Sequence, residues 1–258
     1  MATLIFVHAH PDDEALLTAG TMARASAEGH RVILVSATDG AAGLTSTDFA
    51  DDLAATRAAE LEHSAGLLGT ARLVNWAYAD SGLHGLREGG FATGNLSEQV
   101  QRLVDVIDEE DADVLVGYDP SGGYGHPDHL RVHTVVRGAA DAVTGRQPLQ
   151  DSGPRRLRLF EATLPREPIA KAVHLANRLH LTPAGFDPAE FDRAWTPREH
   201  ITHRVDVRRQ LAVKRASMAA HASQAAADDS VRTLAVLTKL PRPIYSRLLG
   251  TEYYVEIP

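Results

Sequence analysis

This sequence predicts an α/β fold: a Rossmann-like, mostly parallel sheet flanked by helices, with a smaller C-terminal cap region. Three observations carry that expectation. Short, β-branched apolar runs alternate with stretches of helical periodicity. The segments between successive runs are long enough for right-handed crossovers. Finally, the same His-Pro-Asp string follows two of the runs, at His10-Pro11-Asp12-Asp13-Glu14 and His126-Pro127-Asp128-His129.

Thr3–His8 reads as a short buried strand. From Glu14 to Glu28 the apolar residues Leu16, Leu17, Met22 and Ala23 fall at helical spacing, and Gly29 follows as a C-terminal cap. Arg31–Ala37 is the second strand, leading into a turn through Thr38, Asp39, Gly40 and Gly43. Ala50–Leu68 is a helix and Arg72–Trp76 a third strand, followed by a glycine-rich loop from Asp80 to Gly94. Leu96–Glu110 is a helix, Asp113–Tyr118 the fourth strand, and His126 to about Val143 helical again. In the commonest doubly wound order the first and fourth strands are neighbours and flank the switch point, where ligands bind beyond the strand ends. Both His-Pro-Asp strings follow those two strands.

Beyond Pro148 the pattern weakens. Leu157–Thr163 is a further strand, residues 165–197 hold helical pieces interrupted by prolines, Ile201–Val205 is a strand, Arg208–Gln224 a helix, and Thr251–Ile257 a strand closing a sheet edge. Residues 1–148 are thus expected to form the core, with 149–258 packed on it in one continuous domain.

The 258 residues suffice for one large domain with a modest appendage. No apolar stretch approaches the ~20 residues that span a bilayer, and no basic leader precedes the first strand, so no membrane partner and a cytoplasmic protein are expected. The chain has no cysteine, which excludes disulfides, thiolate metal sites and cysteine nucleophiles. Any metal must be held by nitrogen and oxygen. A net charge of -8 with scattered basic residues disfavours a nucleic-acid partner. The oligomeric state is left open, a homo-oligomer included.

Each His-Pro-Asp string has a local logic. Proline pushes the preceding histidine into an extended conformation, suits the first helical position, and leaves the aspartate in the first turn, where the helix dipole favours its ionised form. One string is a weak signal, whereas two at adjacent strands converge on a nitrogen and oxygen site suited to a divalent metal. His10, Asp13 and His129 would supply three donors, which leaves a position open if the site is catalytic. Asp12 then lies beside them to take a proton from water. His126 could stabilise an oxyanion or protonate a leaving amine, oriented by Asp128, with Tyr124 in reach of the same oxygen. Spacing alone does not decide which of Asp12 and Asp13 is the ligand.

These residues resemble the LmbE-like (PIG-L) family of zinc-dependent N-acetyl-sugar deacetylases. The likeness rests on Ala9–Glu14 and Gly122–His129. It extends to Thr38-Asp39-Gly40, Arg57 with Glu60, Asp80-Ser81-Gly82, Ala220–Gln224 and Thr251–Tyr254. The resemblance implies zinc, or another divalent metal in its place, on His10, Asp13 and His129. It makes Asp12 the general base, His126 an electrostatic or acid partner and Asp128 its orienter. It gives Tyr124 a part in carbonyl polarisation and assigns Arg57 and Asp80 to sugar hydroxyls. Ala15 stands where many relatives have serine, a change that leaves the metal set intact.

Other residues have plainer readings. His8 reads as a hydrogen-bonded core histidine, and His133 as structural, because Leu130 occupies the glutamate place of an H-E-x-x-H motif. His221 is expected to be a structural hydrogen-bonder, and Arg57 with Glu60 would otherwise be a surface ion pair. The acidic run from Asp108 to Asp113 suggests a solvated turn. No dinucleotide or P-loop glycine pattern is present. The implied activity is metal-assisted deacetylation of an N-acetylglucosamine-containing small molecule. Its rivals are an amidase acting on a larger glucosaminyl thiol conjugate, a non-catalytic sugar-binding relative and, more remotely, a metal phosphoesterase.

Overall fold

Alternation along the strands fixes which residues face which helices. In the computed structural model, which describes residues 1–41, 53–83, 87–145, 157–180, 182, 187–225 and 233–258, β1 (Thr3–His8) sends Ile5 and Val7 to one face and Phe6 to the other. The chain continues through α1 (Asp13–Leu17), α2 (Ala19–Ala27), β2 (Arg31–Thr38), α3 (Leu53–Leu67), β3 (Arg72–Tyr78), α4 (Leu96–Glu109) and β4 (Val114–Tyr118). A distorted turn, α5 (Gly122–Gly125), leads into α6 (Pro127–Thr144) and β5 (Arg158–Thr163). The remainder comprises α7 (Arg166–Arg178), β6 (His203–Asp206), α8 (Leu211–Ala220), α9 (Ala222–Ala225), α10 (Thr233–Lys239), α11 (Arg242–Leu249) and β7 (Thr251–Ile257).

These strands form a seven-stranded sheet in the order β3-β2-β1-β4-β5-β7-β6. The first five are parallel and β7 pairs antiparallel with both β5 and β6. As expected, β1 and β4 are neighbours, with Ile5 opposite Leu115. Ile5, Val7, Ile33 and Val35 pack under α4 and α6, through Leu103, Ile107, Val132 and Val136. Phe6, Val32 and Leu34 pack on the opposite face against Met22 of α2 and Leu61 of α3. A third cluster, Ala15, Met218, Leu234, Tyr245 and Leu249, joins α1 to α8, α10 and α11. Among the described residues no helix is long and apolar enough to cross a membrane.

Three elements differ from the sequence expectation, each for a visible reason. The 14–28 helix is broken at Thr18, whose hydroxyl meets His8 Nε2 at 2.8 Å. The new helix start is capped from β7, where Glu252 accepts from the backbone of Gly20 at 2.8 Å and Thr21 at 2.7 Å. The 208–224 helix is interrupted at His221, which turns inward to Glu14. Finally, Thr251–Ile257 is not the sheet edge, because β6 pairs on its outer side. The acidic run braces the strand starts around it. Glu110 pairs with Arg31 at 2.6 Å and Arg72 at 2.9 Å, while Asp113 accepts from Thr3 N at 2.8 Å. The expected boundary at 148/149 and Gly43 lie outside the described residues, as does part of the 80–94 loop.

Candidate active site

The carboxyl ends of β1 and β4 open side by side, and each strand is followed by a tight turn into a helix. There His10 Nδ1, Asp13 Oδ2 and His129 Nε2 form a nearly equilateral triangle, with sides of 3.3, 3.4 and 3.3 Å. Tetrahedral coordination with bonds of about 2.0–2.2 Å places its donor atoms roughly 3.3–3.5 Å apart. The triangle therefore fits a divalent ion held on one face, with the opposite side open. The far nitrogens support this use. His10 Nε2 donates to Asp128 Oδ2 at 3.2 Å and His129 Nδ1 to the Gly122 carbonyl at 3.2 Å, which leaves the inward nitrogens as lone-pair donors. Tyr118, at the end of β4, stacks on His129 with centroids 4.4 Å apart, and its hydroxyl accepts from the Ala9 N–H at 3.1 Å.

Electrostatics point the same way. Burial alone would lower the His10 pKa, but Asp128, Asp13 and Asp80 raise it well above its ordinary value. The field that draws a proton onto His10 would equally draw a cation. Asp13 is opposed by its burial, yet His129 and His10 hold it well below the usual carboxylate range. His126 lies within ligand reach of His10 and His129. Asp80 and Asp128 lie within the same reach of His10 and His126, while His10, Asp13 and His129 meet pairwise at 3.3–3.4 Å.

Asp12 stands beside this triangle with an unusual backbone, φ 120° and ψ -24°, a region that L-residues seldom adopt. Burial raises its pKa to about 6, against the opposing charge of Arg57. Arg57, on α3, is only 2% exposed and does not form the surface pair with Glu60 that its spacing allowed. Its guanidinium donates to the carbonyls of Gly40 and Pro11 and approaches Asp12 Oδ2 at 3.3 Å. Gly40, at φ 64°, must be glycine, since a Cβ there would lie 2.5 Å from that guanidinium.

The second string supplies the other wall. His126 caps α6: its Nδ1 accepts from the Asp128 N–H at 3.2 Å, so its proton sits on Nε2. Burial, then the charges of His10 and His129, lower its pKa to about 4, so it is neutral at pH 7. The Asp128 carboxylate does not orient His126, as its place in the string suggested. It is fully buried and turns to His10 and to the backbone of Ser81 at 2.9 Å and Ala92 at 3.1 Å. Asp80 accepts from Gly82 N at 2.8 Å and lies 3.6 Å from His10 Nε2. Tyr124 is 45% exposed; burial of its hydroxyl and the nearby Asp13 and Asp12 raise its pKa and keep it protonated as a donor. Its turn is braced by Trp195, which donates its backbone N–H to the Gly123 carbonyl at 2.8 Å and packs where a Gly123 Cβ would fall.

Together these groups border a cavity of about 230 Å³, lined by Asp12, Asp80, Tyr124 and His126 together with Leu83 and Gln224. All nine residues singled out from the sequence gather around it or directly behind it. Sequence reasoning missed Tyr118, Trp195 and Gln224 as parts of the site. Only Gln224 carried a signal, its place in the Ala220–Gln224 string.

A Rossmann-like sheet with an imidazole and carboxylate cluster at its switch point defines an α/β protein with a candidate metal site. Residues 5–140 match the family described as PIG-L: GlcNAc-PI de-N-acetylase, and the chain belongs to that family. A 1D-myo-inositol 2-acetamido-2-deoxy-alpha-D-glucopyranoside deacetylase of Saccharomonospora viridis is 36% identical over 237 residues, covering 86% of this chain and 84% of its own. In structure the chain resembles N,N'-diacetylchitobiose deacetylase from Pyrococcus horikoshii, with a TM-score of 0.66 at 20% identity over 100% of this chain and 84% of that one. A 4-carboxy-2-hydroxymuconate hydratase from Pseudomonas putida shares the fold too, with a TM-score of 0.63 at 15% identity over 100% and 97% of the two chains. The fold by itself therefore does not fix the reaction.

Proposed function

We infer that this chain is a zinc-dependent hydrolase that removes the acetyl group from an N-acetylglucosaminide carrying a neutral polyol. The observation that carries this reading is the donor triangle of His10, Asp13 and His129 with the Asp12 carboxylate beside it. The named activity of the 36% identical relative supports the substrate class. Bound on the triangle, zinc or a similar divalent ion supplies Lewis-acid polarisation of the acyl carbonyl and acidifies water.

The protein's own groups do the rest. Asp12, with a pKa of about 6, accepts the proton of the attacking water and passes it to the departing amine. His126 is neutral and so acts as a hydrogen-bond donor to the developing oxyanion, with Tyr124 as its partner. Asp80 offers an acceptor to sugar hydroxyls, whereas Arg57 commits two of its nitrogens to Gly40, Pro11 and Asp12. Asp12, Asp13 and Asp80 line the cavity together with His10, His126 and the committed Arg57. The neutral aglycone is favoured by the inositol in the name of the 36% identical relative.

The test is mass spectrometry of acetate and amine release from a panel of N-acetylglucosaminides, with neutral and phosphorylated aglycones, before and after chelation. Release from the neutral members, abolished by chelator and restored by zinc, is the expected result. Release of only larger acyl groups would favour the amidase alternative. A zinc-loaded protein silent on every acylated amino sugar would favour a sugar-binding relative.

A further inference from the structure

Glu14, the last residue of the first string, is 0% exposed and does not reach the cavity. Both of its carboxylate oxygens are nevertheless engaged. Oε2 accepts the backbone N–H of Asp12 at 3.0 Å, while Oε1 accepts from Ser64 Oγ at 2.6 Å and His221 Nε2 at 2.6 Å. Ser64 and His221 are themselves 0% exposed. The partners come from three places in the chain: the strained residue of the first string, the helix α3, and the break between α8 and α9. The neighbouring peptide is fastened as well, because Glu60 accepts both the backbone N–H and the hydroxyl of Ser223 at 2.7 Å.

We propose that Glu14, locked by His221 and Ser64, is a positioning residue that holds Asp12 in its left-handed backbone conformation and so aims the Asp12 carboxylate into the cavity. This rests on the reading of Asp12 as the base. The geometry is a two-sided clamp. Arg57 grips the Pro11 carbonyl and the Asp12 side chain from one side, and Glu14 grips the Asp12 N–H from the other. Both grips are set by α3, since Arg57 and Ser64 lie seven residues apart and share a face after two turns. A φ of 120° at a non-glycine residue persists only where its surroundings over-determine it. His221 secures the carboxylate from a segment remote in sequence, which makes the C-terminal region part of the catalytic geometry.

The decisive experiment is a kinetic cycle on the zinc-loaded full chain with Asp12→Asn, Glu14→Gln and the double variant. Glu14→Gln is expected to lower kcat by roughly 10–100-fold, as misplacement of a reacting group does, with KM and zinc content unchanged. In the Asp12→Asn background the same change should cost less than about 3-fold, because a residue acting through Asp12 has nothing left to position. An equal loss in both backgrounds, or unchanged kcat for Glu14→Gln, would overturn the proposal while leaving Asp12 as the base. Full activity of Asp12→Asn would instead remove the base and the proposal with it. Should Glu14→Gln fail to fold, His221 decides. His221→Gln keeps a donor and should retain kcat within about 3-fold, whereas His221→Ala should lose roughly 10-fold or more at constant KM. Equal behaviour of those two variants would refute the clamp.

Discussion

The two His-Pro-Asp strings share three residues and use them in opposite ways. In the first, His10 is a member of the donor triangle and Asp12 faces the cavity. In the second, His126 faces the cavity and Asp128 is buried behind His10. The backbones differ accordingly. Pro127 is the first residue of the 18-residue α6, with His126 at φ -61° and ψ 132° as its cap. The first string instead delays its helix by two positions, through Pro11 and Asp12 at φ 120°, and α1 lasts only five residues. What the strings do share is a donor three residues past the histidine, Asp13 in one and His129 in the other. A short motif therefore fixes which chemical groups arrive at a strand end, and the neighbouring elements decide which way each of them points.

The hardest blow to this division of labour is removal of a donor. His129→Ala and His10→Ala should each lose stoichiometric metal, measured by elemental analysis, and turnover should fall by roughly 10³-fold or more. A His129 variant that kept both would dissolve the triangle. Because the pKa of His10 is raised, protons compete with metal for its Nδ1, so metal affinity should fall as pH is lowered.

The two aspartates separate next. Asp12→Asn should retain metal and lower kcat by roughly 10²–10⁴-fold. In the unaltered protein, activity should decline as pH falls through about 6, where Asp12 takes up its proton, or somewhat lower once a bound cation favours the carboxylate. That limb should vanish in the variant. Asp128→Asn should do something different: weaken metal binding by roughly 10–100-fold through the loosened His10, with a smaller change in kcat at saturating metal. Matching phenotypes for the two would mean that the strings are equivalent after all.

How much of this could be read from the residues depends on the range of the interaction. The meeting of β1 with β4 followed from alternation and crossover length, which are local signals with a strong topological rule behind them, whereas the place of β7 inside β6 did not. The groups that gather there were likewise legible, because the proline-linked histidines announce a strand end twice, although spacing left open which of Asp12 and Asp13 joins the two histidines. Roles set across the fold were not. Nothing near Asp128 in sequence says that its carboxylate will face His10, 118 residues away. Arg57 looked like half of an i, i+3 ion pair, but the buried carbonyls of Gly40 and Pro11 outcompeted Glu60 for its guanidinium. The breaks at Thr18 and His221 also depend on distant partners, Glu252 and Glu14, and helical periodicity continues smoothly through both. Local pattern thus reported the elements and the inventory of groups, while the orientation of each group came from tertiary contacts.

The smallest expected effect is also the finest test of the asymmetry. Pro127→Ala removes a ring from the first position of α6, where its backbone already matches the helix and no N–H is needed. The cost is greater freedom of the unfolded chain, about 0.4–1 kcal/mol, or roughly 1–4 °C in melting temperature for a chain of this size. Activity should stay within about 2-fold, since His126 keeps its bond to the Asp128 N–H. Pro11→Ala should cost similar stability, yet it loosens the residue before the strained Asp12 and the carbonyl that Arg57 grips. There kcat should fall by roughly 3–10-fold, because a small misplacement of the base is felt directly in the rate. Melting curves and kcat measured side by side would expose the difference: equal losses of kcat in the two variants would mean that the proline of the first string contributes no more to the aim of its aspartate than that of the second.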